Sequence, residues 1–414
     1  MVKHNENHVE QIVGSLIIMK NPPFPKKIKK TFTLHNDKRV DWYHWLRDDK
    51  RQNKEILNYL SDENKYSDYW FKHNKVNSEK IYRYFKNGLP KFEESFKNRI
   101  DDYQYFSTTT LKNEYRKYYR IHKKKKKLIL DVNKLAENHD FYNISSLFPS
   151  RDHNLLAYGE DVNGRREYSI AIKDINKNKI LEKNSCSSNG IIIWSKNSDG
   201  YFYLRKDQKT LITNSLYFHK LGDDIKKDKL IYKEKDNQFN LNISLSRSKK
   251  FLLLQASKTE SNETWYLDLE SKVFTLKCFL KRKTKHLYYI DDTPKNFFIL
   301  SNKQKQKNFA LYKTDLNKTS ELNWKIFVSH KKDALIEDFL CFEDFLILEI
   351  RKKGLPQLIQ VDLKTKKRTL IKFSDKAFTI DLSNNNEYKA RHFSFVFSSL
   401  KTPPSIFSQD LYTK

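Results

Sequence analysis

Hydrophobic and polar positions alternate in short runs along most of the chain, and the stretch Gly190–Glu234 shows this pattern most clearly. Runs of three or four residues rich in β-branched and aromatic side chains are too short for helices, so they predict β-strands. The Asp199-Gly200 step predicts a hairpin between the first two, because glycine accepts the positive φ of tight turns. Four antiparallel strands in about 45 residues are typical of one β-propeller blade. The four runs are 191–194, 201–204, 216–218 and 230–232.

Comparable strand clusters recur from about Tyr103 to the end of the sequence. One blade cannot bury both of its faces, so repeated clusters predict a ring of neighbours. Seven blades close a ring without leftover edges, and we therefore predict an all-β fold, a seven-bladed β-propeller. A strand near Tyr103 could complete the last cluster, which is one or two strands short, and a pair of all-β sandwiches is the competing fold. The seven clusters begin near residues 103, 155, 190, 241, 286, 335 and 390.

The region before the strand clusters has a helical period. Pro22-Pro23-Phe24-Pro25 forces an extended segment. Apolar residues then recur at three- and four-residue spacing as far as Phe85, which predicts a short helical segment that ends at Asn87-Gly88-Leu89-Pro90. The predicted organisation is a flexible extension at 1–21, an extended and helical segment at 22–100 and the propeller at 101–414.

Composition and charge narrow the classes of partner. The chain has 80 Lys and Arg against 51 Asp and Glu, a net charge of +29, which is typical of proteins that bind nucleic acid, anionic membranes or acidic proteins. The lysines are spread along the chain, so a codon bias towards lysine is the favoured explanation. The three cysteines are far apart and fit a reducing compartment. No apolar run is long enough for a membrane span and no signal peptide is evident, so we expect a cytoplasmic protein.

Few residues offer chemistry of their own. Asp152-His153, with serines nearby, could be part of a catalytic triad, but neighbouring residues of a strand point to opposite faces, so a loop role is favoured. The run Lys123–Lys127 could bind phosphates and is better explained as a solvated hairpin tip. His4 and His8 lack a third ligand nearby. We predict no metal and no cofactor, and favour hairpin turns over a divalent-cation site for the acidic cluster Glu337, Asp338, Glu343 and Asp344.

Several motifs resemble the oligopeptidase B group of the prolyl oligopeptidase family of serine peptidases. Residues 35–49 are similar to its signature His-Gly-x-x-Arg-x-Asp-x-Tyr-x-Trp-Leu-Arg-Asp, with Asn36 where the family usually has glycine. The matches keep their order from Pro22 to Lys414, and together they are specific although each is weak alone. The other similar segments are Leu60–Tyr66, Ile129–Asn133, Gly354–Leu358 and Ser398–Pro403.

This resemblance implies a helical segment and a seven-bladed propeller, followed in the family by an α/β-hydrolase domain with a Ser-Asp-His triad. It implies that the 414 residues stop at the linker to that domain, and none of the eight glycines forms a Gly-x-Ser-x-Gly motif. No catalytic residue can therefore be carried over. In the family the propeller admits short peptides, which are cleaved after Lys or Arg. The chain is then the substrate-gating, non-catalytic part of such a peptidase, either a split subunit or a truncated relic.

The expected partner is an α/β-hydrolase chain, with short peptides as ligands. The N-terminal segment would pack on that hydrolase through a set of apolar side chains. The alternative is a stand-alone propeller that binds an acidic protein or nucleic acid, which would need those side chains covered within this chain. The predicted interdomain contact consists of Trp42, Trp45, Leu46, Leu57, Leu60, Tyr66 and Trp70.

Overall fold

The computed structural model describes residues 21–73, 77–382 and 385–413. Nearly all of the expected extension at 1–21, with His4 and His8, lies outside these ranges. The chain divides into two compact units, Met1–Leu89 and Pro90–Lys414. They are called the N-terminal unit and the propeller unit below.

The first described element of the N-terminal unit is a hairpin of strands β1 (Lys30–Leu34) and β2 (Asp37–Asp41), in which Leu34 pairs with Asp37. Two residues make its turn, His35 with φ 54° and Asn36 with φ 62°. Asparagine tolerates this left-handed conformation better than most residues, which explains how it replaces the glycine of the family signature.

Two helices follow the hairpin, α1 (Lys54–His73) and α2 (Ser78–Gly88). Asp48 lies ahead of α1, where its carboxylate accepts hydrogen bonds from the backbone N–H groups of Gln52 and Asn53. The Asn77 side chain accepts from the N–H of Lys80 and caps α2, which ends at Gly88 as the sequence predicts.

The propeller unit consists of antiparallel sheets whose strands pair mostly with their neighbours in the sequence. The first sheet contains β3 (Phe92–Glu94), β4 (Asn98–Ile100), β5 (Tyr103–Thr110), β6 (Lys117–His122) and β7 (Lys125–Asp131), and the short helix α3 (Val132–Ala136) follows it. The second sheet contains β8 (Asn143–Ile144), β9 (Phe148–Pro149), β10 (Leu155–Asp161), β11 (Tyr168–Asp174), β12 (Lys179–Trp194), β13 (Gly200–Lys206), β14 (Thr213–Lys220) and β15 (Lys229–Lys233).

The remaining sheets are smaller and more regular. The third contains β16 (Asn240–Leu245), β17 (Phe251–Lys258), β18 (Ser261–Asp268) and β19 (Leu276–Leu280), and the fourth β20 (Tyr288–Asp292), β21 (Asn296–Ser301), β22 (Ala310–Asp315) and β23 (Lys325–Val328). The fifth contains β24 (Ala334–Cys341), β25 (Phe345–Lys352), β26 (Leu355–Asp362) and β27 (Arg368–Ile371), and the sixth β28 (Phe378–Asp381), β29 (His392–Ser399) and β30 (Ser405–Asp410). Single 3₁₀ turns lie at His44–Leu46, Ile225–Lys227, Lys303–Lys305 and Glu321–Asn323.

Consecutive sheets of the propeller unit pack face to face through buried apolar side chains. Alternation along each strand places large residues on both faces, so each sheet contributes to two interfaces. Examples for the five successive interfaces are Ile129 with Leu156, Phe202 with Leu254, Phe251 with Phe297, Leu311 with Leu346, and Ile347 with Phe393.

The prediction of seven blades is wrong, although the all-β propeller and the helical N-terminal segment are confirmed. Among the described residues, five sheets have four or more strands, as a complete blade requires, and the sixth has three. The main reason is strand β12, which pairs with β11 along its first part and with β13 along its last part. Two of the predicted clusters therefore share one eight-stranded sheet. The sixth sheet is not completed by a strand near Tyr103, because β5 pairs within the first sheet.

Gly200 is required by close packing and not by a turn. It is the first residue of β13, and Ser198 supplies the positive φ of 57° in the turn before it. A Cβ atom at position 200 would lie 2.4 Å from the backbone oxygen of His219 and 2.6 Å from Cζ of Phe218. The Asp-Gly pattern thus predicted the hairpin correctly and the role of the glycine incorrectly.

Candidate functional site

A cavity of about 760 Å³ is lined by strand ends and by turns from all the sheets of the propeller unit. The first sheet contributes Asp101, the second His153, the third the turn Ser246–Lys249 and the fourth Asp291. Every sheet of the propeller unit contributes to the wall, so the cavity is the central channel of the ring. Its apolar wall includes Ile100, Leu147, Phe148, Ile192, Trp194, Ile243 and Leu340.

Arg247 makes three side-chain hydrogen bonds at this channel. Its Nε donates to the backbone oxygen of Cys341 at 2.7 Å, and its Nη2 donates to the backbone oxygen of Glu387 at 2.7 Å. Nη1 donates to the backbone oxygen of Asn385. The guanidinium of one sheet therefore binds carbonyl groups of two others, using the planar set of donors that distinguishes arginine from lysine.

Lys249 and Asp101 form a second set of polar contacts. Nζ of Lys249 lies 3.0 Å from Oδ1 of Asp101 and 3.5 Å from Oε1 of Glu387. The backbone N–H of Asp101 donates to the same Glu387 oxygen at 2.8 Å, and the His153 ring lies 3.1 Å from Oδ2 of Asp101. Burial would raise the pKa of Asp101, but Lys249 and His153 outweigh it and hold that pKa below its ordinary value.

Asp291 behaves in the opposite way. Burial raises the pKa of its carboxyl group to about 7, Asp292 adds repulsion, and the hydrogen bond from the N–H of Arg247 opposes both. The channel wall thus combines charges of both signs with apolar side chains.

The structure separates the two residues of the possible triad fragment. The ring of His153 contacts the Tyr105 hydroxyl and Asp101. Asp152 instead accepts hydrogen bonds from Ser150 and Asn154. Both residues lie in the turn before β10, so the loop role is confirmed.

The acidic cluster is divided among separate partners. Glu337 accepts from Nε of Arg351 at 2.8 Å, Glu343 lies 3.5 Å from Nζ of Lys389, and Asp344 accepts from the Tyr412 hydroxyl at 3.0 Å. Within the described ranges, no group of three or more His, Cys, Asp or Glu is placed to hold a metal ion.

The lysine run spans a hairpin. Lys123 and Lys124 make the turn with φ values of 47° and 63°, and β7 begins at Lys125. Nζ of Lys126 lies 4.3 Å from the ring centroid of Tyr119, a cation–π contact with its own sheet.

Of the helices in the described part of the chain, none has the length and apolar character needed to cross a bilayer.

The predicted interdomain residues all lie in the N-terminal unit, and most of them face solvent. Trp42, Leu57, Leu60 and Trp70 are between 42% and 49% exposed. Trp45, Leu46 and Tyr66 are half-buried, and the indole of Trp45 donates to the backbone oxygen of Lys26 at 2.7 Å. We call this set the N-terminal apolar surface. Its role as an interdomain contact stays a prediction.

Helix α2 extends the apolar character of this unit beyond the predicted set. None of its described residues is buried, and Ile81, Tyr82, Tyr84 and Phe85 are each more than half exposed. The three- and four-residue spacing that predicted the helix continues through these positions. Following that spacing past Trp70 would have added them to the set.

The comparisons with known proteins agree with this fold. The family model of the prolyl oligopeptidase N-terminal β-propeller domain matches residues 22–414. Dipeptidyl aminopeptidase BI of Pseudoxanthomonas mexicana is 28% identical over 422 residues, which cover 96% of this chain and 57% of that protein. Protease 2 of Moraxella lacunata is also 28% identical, over 94% of this chain and 57% of its own length.

Solved structures show the same likeness at the level of the fold. Oligopeptidase B from Leishmania major superposes with a TM-score of 0.87 at 22% identity and covers 94% of this chain and 59% of its own. Oligopeptidase B from Trypanosoma brucei gives a TM-score of 0.87 at 23% identity, over 95% of this chain and 59% of its own.

The protein belongs to the prolyl oligopeptidase family and corresponds to its N-terminal β-propeller portion. The chain spans 57% of the length of the two curated relatives described above.

Proposed function

We propose that this chain is the substrate-gating propeller portion of an oligopeptidase B-like serine peptidase that cleaves short peptides after Lys or Arg. The observation that carries the proposal is the family match across 22–414, which is collinear with the N-terminal part of longer peptidases. The channel, with its charged turns and apolar wall, is the element that would select short, unfolded peptides. The bond-breaking residues would come from an α/β-hydrolase portion.

The N-terminal apolar surface supports the existence of such a partner. Soluble monomers rarely expose large contiguous apolar patches, and such patches commonly mark protein interfaces. Exposed apolar side chains lie on both helices: Leu57, Leu60, Trp70 and Phe71 on α1, and Ile81, Tyr82, Tyr84 and Phe85 on α2. A hydrolase portion packed on them would form an interface of the obligate size class.

Co-expression with an α/β-hydrolase polypeptide tests the proposal. The partner would be the coding sequence nearest to this one that carries Gly-x-Ser-x-Gly, whether joined to this chain or separate. We expect a stable complex that cleaves fluorogenic peptides ending in Arg-Arg or Lys-Arg and is blocked by a serine-reactive phosphonate. The 414-residue chain alone should give no phosphonate-sensitive turnover, because none of its glycines forms the Gly-x-Ser-x-Gly motif that positions a serine nucleophile.

Trp45→Asp should weaken the complex, since it places a charge in the N-terminal apolar surface. Leu322→Asp is the matched control, because Leu322 is 96% exposed in the propeller unit. If both variants bind the hydrolase equally well, the prediction that the N-terminal apolar surface contacts the hydrolase is wrong. The proposed function would be refuted if the hydrolase did not bind this chain and if adding this chain did not change the peptide preference of the hydrolase.

A further inference from the structure

A second cavity lies within the second sheet of the propeller unit. Its volume is about 250 Å³, which is below the range of pockets that hold drug-sized ligands and suits a smaller ligand. Its wall is formed by parts of β12 and β13, the turn after β13 and the 3₁₀ turn Ile225–Lys227. No residue is common to the linings of this cavity and of the central channel, so the two are separate sites.

An irregularity of strand β12 shapes one side of this cavity. Asn184 pairs with Ile170 of β11 and Ser188 pairs with Tyr168, so three residues of β12 lie opposite a single residue of β11. These three residues, 185–187, leave the regular ladder and line the cavity. Ser187 has a φ of 45°, in the left-handed region that serine rarely adopts. Strained backbone of this kind is concentrated at functional sites.

The charged side chains that line the cavity, among the described residues, are all cations. They are Arg205, Lys206 and Lys226. Nζ of Lys206 donates to the backbone oxygen of Arg166, and within the described ranges neither Lys206 nor Lys226 forms an ion pair with a carboxylate. Two of the three positive charges are therefore not neutralised by the protein, and the cavity attracts anions.

Arg205 is held in position by contacts on one side of its guanidinium. Its Nε donates to the Tyr203 hydroxyl at 2.8 Å, and its Nη2 lies 3.4 Å from Oδ2 of Asp228. The guanidinium also lies 4.2 Å from the ring centroid of Tyr217. Nη1 makes no hydrogen bond with a described residue, and the side chain is 28% exposed. A ligand in the cavity can therefore bind Nη1 without reordering the side chain.

The carboxylate beside Arg205 has other partners, and a hydroxyl group is free to donate. Asp228 is buried, accepts from the Tyr203 hydroxyl at 2.5 Å and lies 2.6 Å from Nδ1 of His219. Its negative charge is thus shared between His219 and Arg205. On the other side of the cavity, the Ser169 hydroxyl donates to Oγ of Ser185 at 3.4 Å. The hydroxyl proton of Ser185 is then available to a ligand.

We propose that this cavity binds the phosphate group of a small phosphate monoester. Arg205 and Lys226 bind the phosphate oxygens, Lys206 adds positive charge, and Ser185 donates a hydrogen bond. A phosphate monoester carries nearly two negative charges at neutral pH and accepts several charge-assisted hydrogen bonds. Three lining cations match that charge better than they match the single charge of a carboxylate. The proposal does not rest on the proposed function, because the cavity is separate from the channel and from the N-terminal apolar surface.

Calorimetric titration of the full chain tests the site without any activity measurement. The probes are inorganic phosphate and glycerol 3-phosphate, with glycerol as the probe that lacks the phosphate group, in about 0.15 M NaCl. We expect saturable binding of both phosphates to one site and no binding of glycerol. Lys226→Gln should weaken the binding of both phosphates about fivefold or more, because it removes one charge-assisted contact.

Lys227→Gln is the matched control. Lys227 belongs to the same 3₁₀ turn and carries the same charge, but it does not line the cavity. Equal weakening by Lys226→Gln and Lys227→Gln would overturn the site, because it would show that the phosphates respond only to the overall positive charge. Acetate binding as tightly as phosphate, or the absence of saturable phosphate binding to the wild type, would also overturn it. None of these results depends on whether a hydrolase partner is found.

Discussion

The two units of this chain contain similar densities of aromatic residues and bury them very differently. In the described parts of α1 and α2 only Ile56 is buried, whereas the sheets of the propeller unit enclose residues such as Tyr201 and Phe202 completely. Each propeller sheet has neighbouring sheets against which its two faces can pack, while a pair of helices has few surfaces on which to pack. The comparison shows that the propeller unit buries most of its aromatic side chains, whereas the N-terminal unit leaves much of its apolar surface exposed.

Breaking an ion pair should change the free energy of unfolding much more in the propeller unit than in the N-terminal unit, and this is the largest difference that we expect between them. His219 is fully buried, with Nδ1 2.6 Å from Asp228 and Nε2 3.3 Å from Glu182. We expect His219→Gln to lower the free energy of unfolding by about 3 kcal/mol at pH 6, because two carboxylates lose their cation. The exposed pair of Lys26 and Glu55, 2.6 Å apart in the N-terminal unit, should contribute little, so Lys26→Gln is the control.

The effect of His219 should depend on pH in one direction. Burial lowers its pKa, but Glu182 and Asp228 outweigh burial and raise it above the ordinary value of 6.5. A raised histidine pKa contributes stability that is complete below the unfolded pKa and is lost as pH rises through the folded one. Urea unfolding should therefore show the gap between wild type and His219→Gln narrowing from pH 6 to pH 9. A gap that widens over this range would contradict a protonated His219.

A matched pair of glycines gives the next largest contrast. Gly200→Ala places a Cβ atom 2.4 Å from a backbone oxygen in the propeller unit, and we expect a loss of about 2 kcal/mol. Gly88→Ala meets no atom within 4 Å at the end of α2, so it should be neutral or slightly stabilising. Thermal unfolding of both variants measures the contrast. Equal melting temperatures would show that β13 shifts freely away from His219.

Turn residues should give the smallest effect. Each unit has a two-residue hairpin turn with positive φ at both positions, Lys123-Lys124 in the propeller unit and His35-Asn36 in the N-terminal unit. Lys124→Gly should stabilise by up to about 1 kcal/mol, because lysine is strained in this conformation. Asn36→Gly should gain less, since asparagine tolerates it. Chemical denaturation that ranks the two in the reverse order would contradict this account of the turns.

Much of the local structure could be predicted from the sequence, because local patterns cause it. The four runs in Gly190–Glu234 are strands, and α2 ends at Gly88 as predicted. The family resemblance also follows from local motifs, and the family match confirms it. The number of blades could not be derived in this way. The alternation of apolar and polar residues shows where strands lie. It does not show that the one strand β12 pairs with β11 along its first part and with β13 along its last part, and so joins two predicted clusters in one sheet.

The residues that meet at the channel could not be predicted from the sequence either. Nothing in the local pattern around Asp101, Arg247 or Glu387 indicates that they meet, since they are far apart in the sequence and each looks like an ordinary turn residue. The sequence by itself determined the strands, the helices, the family and the apolar character of the N-terminal segment, because these depend on neighbouring residues. Only the tertiary structure decided which strands share a sheet, which glycine is packed too closely for a side chain, and which charges cross the channel. These depend on the closing of a ring, which brings distant turns to one axis and sets the partners of every charge there.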